Sequence, residues 1–316
     1  MNSSLSGKSV LVTGAAGFIG SHLVRRLLKD NCRVIALERP AADLWRIKDI
    51  INRLEVIYCD LGALRDNELK TKLSGVNIVY HLAAAGVDQS EENCDMIIRS
   101  NVTGTLVMLE LARDLRFERF IYSGSCFEYG KGSFLSEKSF PAPFSEYAVS
   151  KLAGWFLTNS FFHKYGLPVV SLKPFNVYGP YEAPYRLVPH TIINALKGRD
   201  IKLTPGEQKR DFVFIDDMVE GFIAAGFTPG IMGETFNLAT GSLTSVKEIV
   251  NMIIELTNAK ARPIFGAMEY RKSEIWLLSG DPSEAKLKLN WSAQTSLREG
   301  LKKTIAWFKD NEKGIE

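Results

Sequence analysis

With 316 residues, 46% hydrophobic and 24% charged, and a net charge of +3, the chain can bury a sizeable core and lacks the basic excess that argues for nucleic acid or a membrane surface. Its four cysteines (Cys32, Cys59, Cys94, Cys126) form no CxxC pair and no zinc-ligand spacing, and its four histidines are scattered, so no metal site is expected. No apolar run approaches membrane-spanning length and the N-terminal MNSSLSGK has no apolar core, so a reducing cytoplasmic setting is expected.

In chain order, KSVLVTG is a short apolar run closed by Gly14, and FIGSHLVRRLLKD has helical spacing. CRVIALE reads as a second strand, a helical stretch follows over 44–51, and LEVIYCD is a third strand. GVNIVYHLAA is a fourth, a long helical pattern covers 91–115, RFIYSGS is a fifth, and LPVVSLKPFN adds another. Continuous apolar strands joined by helices predict a buried parallel sheet covered on both faces. After VYGP the order changes: a helix over 188–197, short strands at DIKLT and RDFVFI, then helices over 217–226 and 246–256. A boundary falls at 176, giving domains 1–176 and 177–316, with the chain crossing back around 213–240.

TGAAGFIG, residues 13–20, holds Gly14, Gly17 and Gly20 between a strand and a helix. Small residues there let the backbone approach a pyrophosphate, and the helix N-terminus supplies N–H groups and a positive dipole end. Glu38 ends the second strand, where a carboxylate accepts hydrogen bonds from an adenosine ribose. Arg39 follows at once. A carboxylate repels a 2′-phosphate and an arginine binds one, so NAD and NADP both stay open. Asp60 ends the third strand and reads equally as an adenine contact or a turn former. The fold class is therefore α/β: a Rossmann-type doubly wound parallel sheet with a smaller mixed α/β substrate domain.

SEYAVSK places Tyr147 and Lys151 four apart, on one face of a helix. A nearby ammonium favours phenolate and is expected to lower the Tyr147 pKa. A tuned phenol can pass a proton as a hydride moves. YSGSCFEYG ends the fifth strand with hydroxyls at the carboxyl edge of the sheet.

With HLAA (81–84), NVTGT (101–105), PFNVYGP (174–180) and RDFVFIDD (210–217) in this order, nearly the whole chain resembles the extended short-chain dehydrogenase/reductases, the nucleotide-sugar epimerases, dehydratases and reductases. The resemblance implies a catalytic set of Ser125, Tyr147 and Lys151, with Ser125 on the reacting sugar oxygen. It implies cofactor contacts from Gly14, Gly17, Phe18, Ile19, Gly20, Glu38, Arg39, Asp60, Leu61, Leu82, Ala83, Ala84, Asn101, Tyr147, Lys151 and Pro174, with Ser123 a structural hydroxyl on that side. On the side of the nucleotide-diphosphate sugar it implies Ser125, Cys126, Asn176, Val188, Arg210, Arg271 and Glu274, the two arginines clamping a pyrophosphate. It also implies a homodimer through the helices near 91–115 and 145–165, the second carrying Trp155, Phe156, Phe161 and Phe162.

Sugar 4,6-dehydratases of this family resemble one another in having acidic residues just after the serine, where this chain has Cys126 and Phe127. Glu128 is one step further and, on strand alternation, is expected to face away. Lys173 stands where many relatives have arginine. TPGEQKRDFVFIDD and IFGAMEYRKSEI look most like the CDP-dideoxysugar 4-ketoreductases of the abequose and paratose type. The first reading is NAD(P)H-dependent reduction of an NDP-4-keto-6-deoxyhexose. The alternative is an NDP-sugar 4-epimerase with tightly held NAD. The intact Ser-Tyr-Lys set argues against a non-catalytic dinucleotide sensor.

Overall fold

Val10, Leu11 and Val12 have no exposed surface, because their strand lies in the middle of a sheet covered on both sides. Val10 and Val12 point into one apolar core and Leu11 into the other, as the two-residue period of a strand requires. The computed structural model describes residues 5–62, 67–87 and 93–311. The sheet has seven strands, all parallel, in the order Thr235–Leu238, Val169–Pro174, Arg119–Ser123, Ile78–His81, Ser9–Thr13, Arg33–Glu38, Glu55–Tyr58. The strand order reverses between Ser9–Thr13 and Ile78–His81. That opens a crevice at their carboxyl ends.

The helices Phe18–Lys29 and Ile215–Phe227 pack on one face, and Gly104–Leu115 and Glu146–Tyr165 on the other. Burying one Val or Leu contributes about 1.5–3 kcal/mol, so the two cores carry most of the stability. The helical pattern predicted over 91–115 is broken. Asn93 caps Cys94–Ile98, a π-turn covers Arg99–Thr103, and the α-helix resumes at Gly104. The predicted start at 91 lies outside the described residues. The stretch predicted over 44–51 is a 3₁₀ helix, Trp45–Arg53.

A second sheet has the order Thr244–Ser245, Lys209–Arg210, Leu277–Gly280, Gly132–Leu135. Two short parallel pairs, Asn176–Tyr178 with Phe212–Phe214 and Ile201–Leu203 with Pro263–Phe265, complete this region. Sequence patterning did not place Gly132–Leu135 or Leu277–Gly280. No helix among the described residues is long and apolar enough to cross a membrane. No disulfide joins any of the four cysteines, and no described cluster of His, Cys, Asp and Glu could hold a metal.

Candidate active site

The crevice is shaped by glycines. Gly14 has φ +70°, and a Cβ there would lie 2.9 Å from the Ala83 backbone. A Cβ on Gly20 would lie 2.1 Å from the Gly14 carbonyl oxygen. Gly17 caps the Phe18–Lys29 helix without a side-chain bond, so no side chain occupies its first-turn N–H groups. These features fit a dinucleotide pyrophosphate. Phe18 and Ile19 pack half-buried against the core behind it.

Glu38 is buried, and its Oε1 accepts the Ala16 N–H at 2.6 Å. Burial raises its pKa, against the pull of the Ala16 N–H and Arg39. The carboxylate thus anchors the glycine loop at the ribose end. Arg39 is exposed and reaches 3.8 Å from the Met96 sulfur. Asp60 is exposed and accepts the Gly62 N–H at 2.9 Å, which is a turn-forming contact; Leu61 beside it is buried.

A buried hydrogen-bond chain holds the wall formed by Leu82, Ala83 and Ala84. The Ala83 N–H donates to Thr13 Oγ1 (3.1 Å), and the Thr13 hydroxyl donates to His81 Nδ1 (2.8 Å), because the Thr105 hydroxyl at the far end gives its proton to a carbonyl and leaves Nε2 to donate. His81 Nε2 then donates to Thr105 Oγ1 (3.0 Å), whose hydroxyl donates to the Asn101 carbonyl (2.6 Å). Burial and the Lys151 charge lower the His81 pKa to about 3, so the ring is neutral, as this chain requires. Asn101 brackets Ala85 N–H and C=O and donates to Ser150 Oγ, which donates to the Tyr147 carbonyl. Asn101, in the π-turn, therefore ties the crevice wall to the helix bearing Tyr147. The sequence flagged Asn101 but not Thr13, His81, Thr105 or Ser150 as members of one network.

Ser145 caps the Glu146–Tyr165 helix through the Ala148 N–H, which starts the helix one turn before Lys151. Ser123 ends its strand buried, and Pro174 ends the neighbouring one. Ser125 caps the 3₁₀ turn Cys126–Tyr129 through the Phe127 N–H, and its hydroxyl faces Tyr147. The sequence expectation for Tyr147 is overturned. Burial pushes its phenol up to about 12, Ser125 pulls it down, Cys126 and Glu128 push it further up, and Arg186 pulls it down. Burial outweighs every nearby positive charge. Lys151 is pushed down to about 8 by burial, with Glu128 opposing. Its ammonium lies 4.8 Å from the Tyr122 ring centre, and the Tyr122 hydroxyl donates to the Lys151 carbonyl.

Glu128 also corrects the sequence reading. Residues 126–129 form a 3₁₀ turn, so strand alternation does not apply, and the side chain turns inward. It is fully buried, accepts the Ser125 N–H at 2.7 Å and lies 3.3 Å from Lys173 Nζ. Cys126 is buried, and burial pushes its thiol up to about 12, as suits a packed residue.

On the substrate side, Asn176 begins its short strand with its amide nitrogen buried and without a protein partner. Arg210 donates to Glu274 at 2.8 Å, which holds the guanidinium in place. Arg271 stands exposed at the start of the same turn, and its carbonyl accepts the Glu274 N–H at 3.1 Å. Val188 is buried in the helix Leu187–Leu196, and Arg186 caps it. Arg186 and Glu182 escaped the sequence reading, because each looks like a loop charge until burial is known.

One Glu182 oxygen is buried without a protein partner, and burial pushes the carboxyl up to about 8 despite Arg186 and Arg46. Between its ordinary value of 4.5 and pH 8 the folded chain therefore holds a proton that the unfolded chain has lost. Stability falls as pH rises through that window. Glu182→Gln should match wild type in melting temperature near pH 4 and exceed it by several degrees at pH 8, read by calorimetry. A gain independent of pH would show that the proton is not held there.

A glycine loop at the switch point of a doubly wound sheet, facing a Ser-Tyr-Lys set on the same carboxyl edge, defines a dinucleotide-dependent oxidoreductase of the short-chain type. Residues 10–239 match the NAD dependent epimerase/dehydratase family, and the chain belongs to it. A UDP-glucuronate 4-epimerase of Thermodesulfobacterium geofontis is 32% identical over 314 residues, covering 95% of this chain and 96% of that protein. A dTDP-D-glucose 4,6-dehydratase of Bos taurus is 31% identical, covering 96% of this chain and 89% of that protein. The structure of a UDP-glucuronic acid 4-epimerase from Bacillus cereus, in complex with UDP-glucuronic acid and NAD, has a TM-score of 0.87. It is 30% identical and covers 96% of this chain and 99% of that one. The protein is thus an enzyme, and its cofactor is NAD.

Proposed function

We propose that the protein is a nucleotide-sugar 4-epimerase acting on a UDP-linked hexose or hexuronic acid. The carrying observation is Ser125 set against Tyr147, close enough to pull its phenol down, beside buried Lys151 and followed by Cys126 and Phe127. A phenylalanine moves no proton, a thiol near 12 holds its own, and inward Glu128 is engaged by the Ser125 N–H and Lys173, so no free acid–base pair for loss of water follows Ser125. This leaves chemistry at C4 alone. The sequence reading ranked reduction of a 4-keto-6-deoxyhexose first. The relatives are 4-epimerases and dehydratases, which favours the alternative.

Bound NAD supplies a reversible hydride acceptor beside the phenol. Tyr147 takes the proton of the C4 hydroxyl and returns it, while Ser125 holds that oxygen. Lys151, a cation below about pH 8, favours the deprotonated phenol. Arg210, preset by Glu274, and Asn176 anchor the diphosphate, so the oxidised sugar can present its other face. The purified protein should carry nicotinamide and interconvert UDP-glucuronate or UDP-glucose with the C4 epimer without added cofactor. Stoichiometric consumption of NADH or NADPH on a 4-keto sugar would establish the reductase instead.

A homodimer is part of this proposal. Most of the aromatic load on the Glu146–Tyr165 helix turns inward: Trp155 donates to Thr235, Phe161 is buried, and Phe162 packs on the core. Val149 and Phe156 remain exposed seven residues apart, on one helical face, with exposed Ile98 on the neighbouring helix. Light scattering at micromolar concentration should give twice the chain mass, and Phe156→Glu should halve it. A wild-type monomer would refute the dimer.

A further inference from the structure

Directly behind Ser125 lies an ion pair with almost no exposure. Glu128 is 0% and Lys173 is 3% exposed, with 3.3 Å between Oε2 and Nζ. Lys173 comes from the Val169–Pro174 strand, and its ammonium lies 4.1 Å from the Tyr129 ring centre and 5.1 Å from that of Trp155. The other carboxylate oxygen accepts the Ser125 N–H at 2.7 Å. The fit is close enough that a Cβ on Gly124 would meet that oxygen at 2.6 Å.

Taking two charges out of water is costly, and apolar side chains of similar volume commonly hold a fold as well or better. A pair kept at this position therefore calls for a reason beyond stability. We propose that Glu128, paired with Lys173, is a positioning residue of the catalytic set: it fixes the main chain of Ser125 and places a buried negative charge behind Tyr147 and Lys151. This rests on the catalytic reading of those three residues.

The surroundings single out that charge. Tyr147 is faced by Ser125, Cys126 and Glu128 from the turn, by Arg186 from the segment before the Leu187–Leu196 helix, and by Tyr122 from the sheet. Lys151 is faced by Glu128, Tyr122 and His81. Glu128 itself is faced by Lys173, Lys151, Tyr122, Tyr129 and Cys126; burial raises its carboxyl, and Lys173, the Ser125 N–H and Lys151 pull it back. Among these groups Glu128 is the one carboxylate. An anion makes a phenol harder to ionise and an ammonium harder to deprotonate, so its removal shifts both titrations in the same direction.

Glu128→Gln keeps an oxygen for the Ser125 N–H and removes the charge. Both limbs of the kcat/KM–pH profile should move to lower pH by about half a unit or more. The pH at which NAD affinity declines on the alkaline side, measured by calorimetry without turnover, should move with them. Lys173→Arg keeps the pair and should leave the profile in place. If Glu128→Gln does not fold, Glu128→Gln with Lys173→Met removes both charges, which folds tolerate, and should shift the limbs in the same direction. Limbs within about 0.2 pH unit of wild type in either folded variant would overturn the proposal, since a merely structural pair lowers activity or melting temperature without moving them. Tyr147→Phe separates the two claims. If it stays active, the catalytic reading fails; if it is inactive while the limbs stay put, only the role of the pair fails.

Discussion

Tyr147→Phe is expected to abolish turnover while NAD remains bound. The substitution deletes one oxygen and keeps the ring, so the helix start capped by Ser145 and the packing around it are preserved. What is lost is the proton carrier and the partner of Ser125. General acid–base groups contribute roughly 10²–10⁴-fold, and the loss should fall on kcat. The phenol rests near 12 in the folded chain, so the positive field of Lys151 and of the bound nicotinamide ring has to draw it towards the working range. Epimer formation by chromatography and NAD content by absorbance measure the two effects separately. Activity within a few-fold of wild type would remove Tyr147 from the mechanism.

Gly20→Ala should act on the other half of the site. The added methyl would lie 2.1 Å from the Gly14 oxygen and 2.9 Å from the Ala15 Cα, and both are backbone atoms. No side-chain rotation relieves such a contact. The helix has to move off the loop, and its first-turn N–H groups lose their alignment on the pyrophosphate. NAD affinity should fall at least about a hundredfold, roughly 2.7 kcal/mol, with a drop of several degrees in melting temperature. Calorimetry reads the first and a melting curve the second. Unchanged affinity would show that the loop does not shape the cofactor site.

The parts of the fold that could be read from the chain are those encoded by neighbouring residues. A continuous apolar run is what a strand needs when both its faces are covered, so VLV and VIAL declared themselves. The glycine loop was legible because its requirement is local: each missing Cβ faces backbone only a few residues away, or across one strand pairing. Tyr147 and Lys151 were legible for the same reason, since four residues make about one helical turn. The strands Gly132–Leu135 and Leu277–Gly280 are four residues each, and they pair with each other across a long stretch of chain, so no periodic pattern marks them.

By itself, then, the sequence determined the architecture, the dinucleotide motif and the one-turn spacing of Tyr147 and Lys151. Tertiary structure alone decided the electrostatics. Burial raises Tyr147, lowers Lys151 and silences Cys126, and burial depends on what distant segments cover. It also decided direction. A 3₁₀ turn in place of strand alternation swung Glu128 inward to meet Lys173, and the turn before Leu277–Gly280 joined Glu274 to Arg210 and left Arg271 exposed. Such pairings are set by where two separate stretches of chain come to rest, and nothing in either stretch records the other.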